Sequence, residues 1–157
     1  MKERIDWKDY ASFITKTIRN GILFTISDGL NTNTMTIGWG NIGYTWSKPT
    51  FIAFIRRSRF TADLLLKSSD FTINVPLDDS KKEILTYLGT KSGRDEDKIK
   101  VMNLTLVPSE NITSPGIKEF PLTLECKVLY IDKIDISKLP KEIKDRYYPL
   151  EEDKRKI

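Results

Sequence analysis

The sequence predicts a mainly β protein of the α+β class, a small antiparallel β-barrel with short flanking helices. Three observations lead there. Short runs rich in β-branched and aromatic residues recur between turn signals. The helical stretches between them are brief and carry their own start and stop residues. At 157 residues the chain has the size of one domain, and such a domain buries roughly 70% of its unfolded surface without a disulfide or metal staple.

The elements follow in order. Residues 5–18 (IDWKDYASFITKTI) set Ile5, Trp7, Tyr10, Phe13, Ile14 and Ile18 at helical spacing. After Gly21, GILFTIS reads as a strand ending at Asp28-Gly29, a pair that signals a type I′ hairpin because both central residues need positive φ. Its partner is TMTIGWGNIG (34–43), where Gly38, Gly40 and Gly43 mark a bulge or a close approach by a ligand or another backbone. TFIAFIR follows Lys48-Pro49 as a third strand. Thr61 stands where it would cap a helix over ADLLLKSS, and FTINV (71–75) is a strand stopped by Pro76. Ser80 and Glu83 form a capping box for the helix KKEILTYLG, with Gly89 as its stop. KIKVM reads as a short helix, and 103–121 as a strand with a long loop. LTLECKVLYIDKI (122–134) reads as one long strand with Leu122, Leu124, Cys126, Val128 and Tyr130 on one face and Thr123, Glu125 and Lys127 on the other. The whole of 1–157 is expected to be one domain, ending in a charged tail from about residue 137.

Composition narrows the chemistry. Apolar residues at 39% and charged residues at 31% fit a globular chain and argue against wholesale disorder. No apolar run approaches the ~20 residues of a membrane span. MKERIDWKDY has no apolar core, so no signal peptide is expected. The lone Cys126 fits a reducing, cytoplasmic setting, and strand alternation places it in the core. Histidine is absent, which removes imidazole acid–base chemistry, His-dependent triads and His-ligated zinc. No catalytic side chain or metal ligand is expected, and the chemistry is expected to belong to a bound cofactor. The net charge of +4 permits an anionic ligand, but charges are interspersed, as in KSGRDEDKIK, and do not point to nucleic acid.

Three clusters carry chemistry. Asn33-Thr34-Met35-Thr36, running into Trp39 and Gly40, offers hydroxyls, backbone N–H groups and room for close approach, as the edge of a planar cofactor requires. It equally fits a decorated hairpin with glycines at bulges. Arg56, Ser58, Arg59 and Thr61 lie at a strand end just before a helix, a favourable place for a phosphate. The same residues also fit a basic surface turn. Ser92 and Arg94, in Lys91-Ser92-Gly93-Arg94-Asp95, offer a second basic hand or a plain solvated loop.

Taken in order, these motifs resemble a known family. The stretch TNTMTIGWGNIGYTWSKPTFIAFIRRSRFTADLLLKSSDFTINVP, the segment from Ser92 to Lys98 and the late strand LECKVLY are similar to flavin reductase-like proteins with the FMN-binding split barrel, in particular the flavoredoxin-like branch. The resemblance covers about residues 7–135. It implies an FMN-binding split β-barrel that pairs as a homodimer and holds FMN at the subunit interface. It further implies that Asn33, Thr34, Met35 and Thr36 line the isoalloxazine edge, with Trp39 and Gly40 beside the ring or ribityl chain. Arg56, Arg59 and Thr61 would hold the phosphate, with Ser58 among the cofactor contacts and Ser92 and Arg94 reaching the phosphate or packing at the interface. Members of this branch commonly continue into a segment carrying a His and a Tyr-Gly-Glu-Ile strand, whereas this sequence ends at EEDKRKI.

The expected function is therefore FMN-dependent redox chemistry: an NAD(P)H-dependent flavin reductase with NADH or NADPH as donor, or an electron carrier serving a redox partner protein. The alternative is a non-catalytic small β-barrel that binds nucleic acid or another anion through its basic turn and exposed aromatics.

Overall fold

A computed structural model of the chain describes residues 2–149. Its strands are β1 (Ile22–Ser27), β2 (Thr32–Ile37), β3 (Gly40–Thr45), β4 (Lys48–Ala53), β5 (Asp70–Val75), β6 (Leu106–Val107), β7 (Gly116–Ile117) and β8 (Leu122–Lys127). The helices are α1 (Ala11–Ile18), α2 (Phe60–Leu65), α3 (Lys82–Thr90), α4 (Lys98–Val101) and α5 (Lys141–Tyr147). None of them is long and apolar enough to cross a membrane. Residues 150–157 of the expected charged tail lie outside the described residues.

The sheets are open. One antiparallel sheet has the order β2-β1-β5-β8, while β3–β4 and β6–β7 are separate two-stranded ladders. This corrects the closed barrel expected from the sequence. Closure requires a ladder with no free edge, and the expected 34–43 strand breaks at Gly38-Trp39, so β3 pairs only with β4. At the opposite edge β8 stops at Lys127 and not at residue 134, and Leu129, Tyr130 and Ile131 run on exposed and outside any ladder.

The two faces of the main sheet differ in chemistry because alternate residues do. One face carries Ile22, Phe24, Ile26, Met35, Ile37, Phe71, Ile73 and Val75, packed with Ile14 and Ile18 of α1 and Leu64 of α2. Phe24 and Phe71 stack there with centroids 4.6 Å apart. The other face carries Thr25, Thr34, Thr72 and Asn74, all fully buried. Leu23 alone joins the apolar cluster on that side, with Leu85, Leu88, Leu104, Ile117 and Phe120. Asn74 donates to Thr25 Oγ1 at 3.1 Å and Thr72 Oγ1 at 3.0 Å, and accepts from Ile117 N–H and Thr123 Oγ1. Thr72 donates onward to the Pro115 carbonyl at 2.6 Å, so the 103–121 crossover is tied to the sheet by side chains.

Local corrections follow from tertiary contacts. The Asp28-Gly29 turn is a four-residue loop, since Ser27 faces Thr32 and the Asp28 carboxylate accepts from the N–H groups of Leu30 and Asn31. The two-residue hairpin tip is instead Trp46-Ser47, with φ of 53° and 56°. Thr61 is buried inside α2, whose N-cap is Arg59. Asp78 caps a 3-10 turn over Asp79–Lys81, in place of the Ser80–Glu83 box. Gly89 lies within α3, where a Cβ would come 3.3 Å from Thr36 Cβ, so it is a close-packing glycine and not a helix stop. The first helix is split into a 3-10 turn at Trp7–Asp9 and α1.

Asp70 anchors the same crossover. Its carboxylate accepts from the N–H groups of Thr113 at 3.0 Å and Ser114 at 2.8 Å. Burial pushes its pKa up, but these bonds outweigh burial and hold it below the ordinary value. A depressed carboxylate contributes stability that is present above the unfolded pKa, about 4, and is lost as pH falls through the folded value. Asp70→Asn should therefore lower stability at neutral pH by about 1–3 kcal/mol and flatten the acid limb below about pH 4. Denaturant melts from pH 2 to 7 check this, and an unchanged acid limb would remove Asp70 from the anchor.

Candidate functional site

One cleft gathers most of the residues that the sequence singles out. It has a volume of about 400 Å³ and lies between the start of β2, the β4–α2 turn and the Thr90–Gly93 loop leading to α4. That volume lies within the range of about 300–1,000 Å³ usual for small-molecule sites. β2 contributes Asn33 and Met35, which alternate onto the same side of the strand. Asn33 Nδ2 donates to Thr61 Oγ1 at 2.9 Å, fastening β2 to α2 below the cleft. Gly93 closes against this pair. A Cβ there would collide with Asn33 Oδ1 and lie 2.7 Å from Phe60 Cδ1, so the loop seats itself only because it has no side chain.

The electrostatics are one-sided. Among the described residues, Arg56, Arg59, Lys91 and Lys98 line the cleft and no carboxylate does. Among the described residues, no ion pair includes Arg56, Arg59 or Lys98. Burial, and then the neighbouring Arg56, lower the pKa of the half-buried Arg59. Lys98 is only 3% exposed and its Nζ donates to the Leu88 carbonyl at 3.0 Å. Burial, aided by Arg59 and opposed by Glu96, pushes its pKa down to about 8. At the rim, the Arg56 guanidinium lies 5.6 Å from the Trp39 ring and 5.7 Å from the Tyr148 ring, and donates to the Tyr147 carbonyl at 3.4 Å. Tyr147 meets Trp39 edge-on at 5.1 Å. Guanidinium forks beside Ser58 and Thr61 are suited to an oxyanion with several acceptor oxygens.

The structure thus brings Asn33, Met35, Arg56, Ser58, Arg59, Thr61 and Ser92 to one cleft, with Trp39 at its rim through Arg56. Arg94 braces the wall: it donates to the Ser58 carbonyl and pairs with Asp63, both at 2.7 Å, and lies over Phe60. Thr34, Thr36 and Gly40 lie elsewhere. Thr34 points to the opposite face, 2.9 Å from Thr25 Oγ1. Thr36 donates to the Leu85 carbonyl of α3 at 2.5 Å. Gly40 packs against Phe51, whose Cζ would sit 2.9 Å from an added Cβ. The reason is alternation: in Asn33-Thr34-Met35-Thr36 only every second side chain shares a face. Lys98 escapes a sequence reading because KIKVM resembles a solvated helix. Its position four residues before Met102, which packs against the second core, was the available signal.

Comparison with known proteins fits this geometry. The flavin reductase like domain family matches residues 17–137. An uncharacterized protein of Archaeoglobus fulgidus is 34% identical over 97 residues, covering 62% of this chain and 54% of that protein. One of Pyrococcus abyssi is 38% identical over 74 residues, 47% of this chain and 41% of that protein. The chain spans about half the length of these curated relatives, or less. Among solved structures, the flavoredoxin of Desulfovibrio vulgaris (Miyazaki F) superposes with a TM-score of 0.64 at 26% identity, over 78% of this chain and 72% of that one. A flavoredoxin from Methanosarcina acetivorans shares the fold, with a TM-score of 0.66 at 24% identity, over 73% of this chain and 60% of that one. With the family's domain covering most of its length, the chain belongs to the flavin reductase like domain family.

Proposed function

We propose that this chain binds FMN, with the phosphate among Arg56, Ser58, Arg59 and Thr61, and acts as an oxidoreductase. The observation that carries this reading is a cleft lined, among the described residues, by four cations and no carboxylate, in a chain of the flavin reductase like domain family. The residues fit the group. Arg56 and Arg59 supply guanidinium donors for phosphate oxygens, and Ser58 and Thr61 supply hydroxyls. Asn33 and Met35, on the same side of β2, are the residues that would meet the ring. Trp39 would stand at the rim beside it.

When bound, FMN supplies the hydride- and electron-transfer chemistry, and the protein supplies binding and orientation. No general acid is needed from the chain, so the absence of histidine is no obstacle. Nor is Cys126 a redox group on this reading. Burial pushes its thiol up to about 12, so the reactive thiolate is scarce at neutral pH. The donor is NADH or NADPH if the chain is a reductase. A redox partner protein replaces it if the chain is a flavoredoxin-type electron carrier, a reading supported by the likeness to the Desulfovibrio protein. A second copy of the chain is the proposed structural partner, supported by the exposed Tyr44, Trp46, Ile52 and Phe54 on and beside the β3–β4 hairpin.

Arg59→Ala should weaken FMN binding by roughly ten- to a hundredfold, since a charge-assisted bond is worth about 1.5–3 kcal/mol, and should leave riboflavin binding unchanged. Fluorescence titration with both flavins checks this. Equal losses for the two would take the phosphate away from Arg59. Sedimentation of the FMN-loaded protein should give a dimer, and a tight-binding monomer would oppose the two-copy arrangement. Anaerobic titration separates the two activities. Bleaching of the flavin by NADH or NADPH alone marks a reductase, whereas reduction only by a protein donor marks a carrier.

A further inference from the structure

Residues 3–6 are exposed and belong to no helix or strand, yet the segment is held at both ends. Trp7 meets the Tyr44 ring edge-on at 5.3 Å. At the other end the half-buried Lys2 turns its Nζ into the β7–β8 turn. It donates to the Ile117 and Phe120 carbonyls, each at 3.1 Å, and to Thr123 Oγ1. An ammonium has three N–H donors and no acceptor, and here each donor meets one oxygen. Thr123 gives its own proton to Asn74 Oδ1 at 2.9 Å, so its hydroxyl offers the lysine only lone pairs. Gly116 leaves the room: a Cβ there would stand 3.4 Å from Lys2 Nζ and 3.3 Å from the Thr123 side chain. Among the described residues no carboxylate pairs with this ammonium. Glu119, on the same turn, acts on it at longer range while accepting from the Thr105 N–H at 3.0 and 3.1 Å. Burial pushes the amine down to about 8, with Glu119 opposing, so the charged form still prevails at neutral pH.

We propose that the β7–β8 turn is a binding site for a primary ammonium, that Lys2 is its built-in ligand, and that this contact docks the N-terminal segment on the fold. Three acceptors without a donor match the three N–H groups of a primary ammonium. A guanidinium does not fit, because its donors lie in one rigid planar fork. A quaternary ammonium has the charge but no N–H group. The site is independent of the flavin reading, since Lys2, Gly116 and the three acceptors lie outside the residues that line the cleft.

The test is chemical rescue, followed by thermal unfolding of the full chain. Lys2→Ala should lower the Tm by about 3–6 °C, the scale expected for charge-assisted bonds in a domain of this size. Methylammonium chloride at about 0.5 M exceeds the millimolar effective concentration of a short tether, and should return most of that loss. Tetramethylammonium chloride and potassium chloride at the same concentration should not. Lys2→Arg keeps a positive charge and should still resemble Lys2→Ala. Should Lys2→Ala not fold, nitrogen-labelled lysine spectra of the wild-type protein and Lys2→Arg decide. The wild-type protein should show a Nζ signal with slowly exchanging protons at neutral pH that Lys2→Arg lacks. A wild-type Tm in Lys2→Ala or Lys2→Arg, equal recovery with all three salts, or no such protected signal would overturn the proposal.

Discussion

Asn74 is the constraint on which the rest of this structure depends. It sits fully buried in the middle of β5 and uses both ends of its amide, donating to Thr25 and Thr72 and accepting from Ile117 and Thr123. A sheet face made of Thr and Asn can be buried only if every hydroxyl and amide finds a partner. Among the described residues no buried side-chain polar atom lacks one. The 103–121 crossover is therefore not draped over the sheet but hydrogen-bonded into it. Lys2 adds a clamp from the N-terminal side, donating to the carbonyls of Ile117 and Phe120 and to the Thr123 hydroxyl. With that layer in place, α3 and α4 pack on the same side, and the loop between them reaches the cleft.

The cleft itself is a product of three chain segments that are distant in sequence. β2 supplies a wall through Asn33 and Met35, the β4–α2 turn supplies guanidinium groups, and Ser92-Gly93 closes the far side. The Asn33–Thr61 bond and the Arg94 contacts to Ser58 and Asp63 hold these segments in register. Arg94 thus acts on the cleft through its wall. Among the described residues the cations inside have no carboxylate partner, whereas Arg94 outside is paired. This division of labour separates the groups that shape the site from those that give it its charge.

Much of this was legible in the sequence, and the failures have physical causes. The strands of the main sheet follow from β-rich runs, and the basic turn was visible because its three arginines lie within four residues. The motif presents Asn33-Thr34-Met35-Thr36 as one edge, but strand alternation turns Thr34 and Thr36 away from the cleft, towards Thr25 and the Leu85 carbonyl. Barrel closure depends on long-range pairing that no local pattern reports, and the break at Gly38-Trp39 decides it. Gly89 illustrates the same limit: a helix stop and a close contact with Thr36 call for the same residue. Lys98 closes the Ser92 to Lys98 segment that carries the resemblance, but within a run of charges only its spacing to Met102 points to burial.

The tip of the β3–β4 hairpin has a consequence for how the molecule moves. Trp46 and Ser47 both occupy the left-handed region, which costs a non-glycine residue about 1–2 kcal/mol, and the Trp46 ring is 66% exposed, so packing returns little. Because β3 and β4 hydrogen-bond only to each other, no neighbouring strand shares that cost. Opening free energies across a protein range from near zero up to the global value, and the cheapest units are those with strained, solvent-facing ladders. The hairpin is such a unit, whereas β1 and β5 lie at the centre of the sheet with both faces covered. Amide exchange should therefore be graded across the molecule, with faster protons at Thr45 to Lys48 than around Asn74.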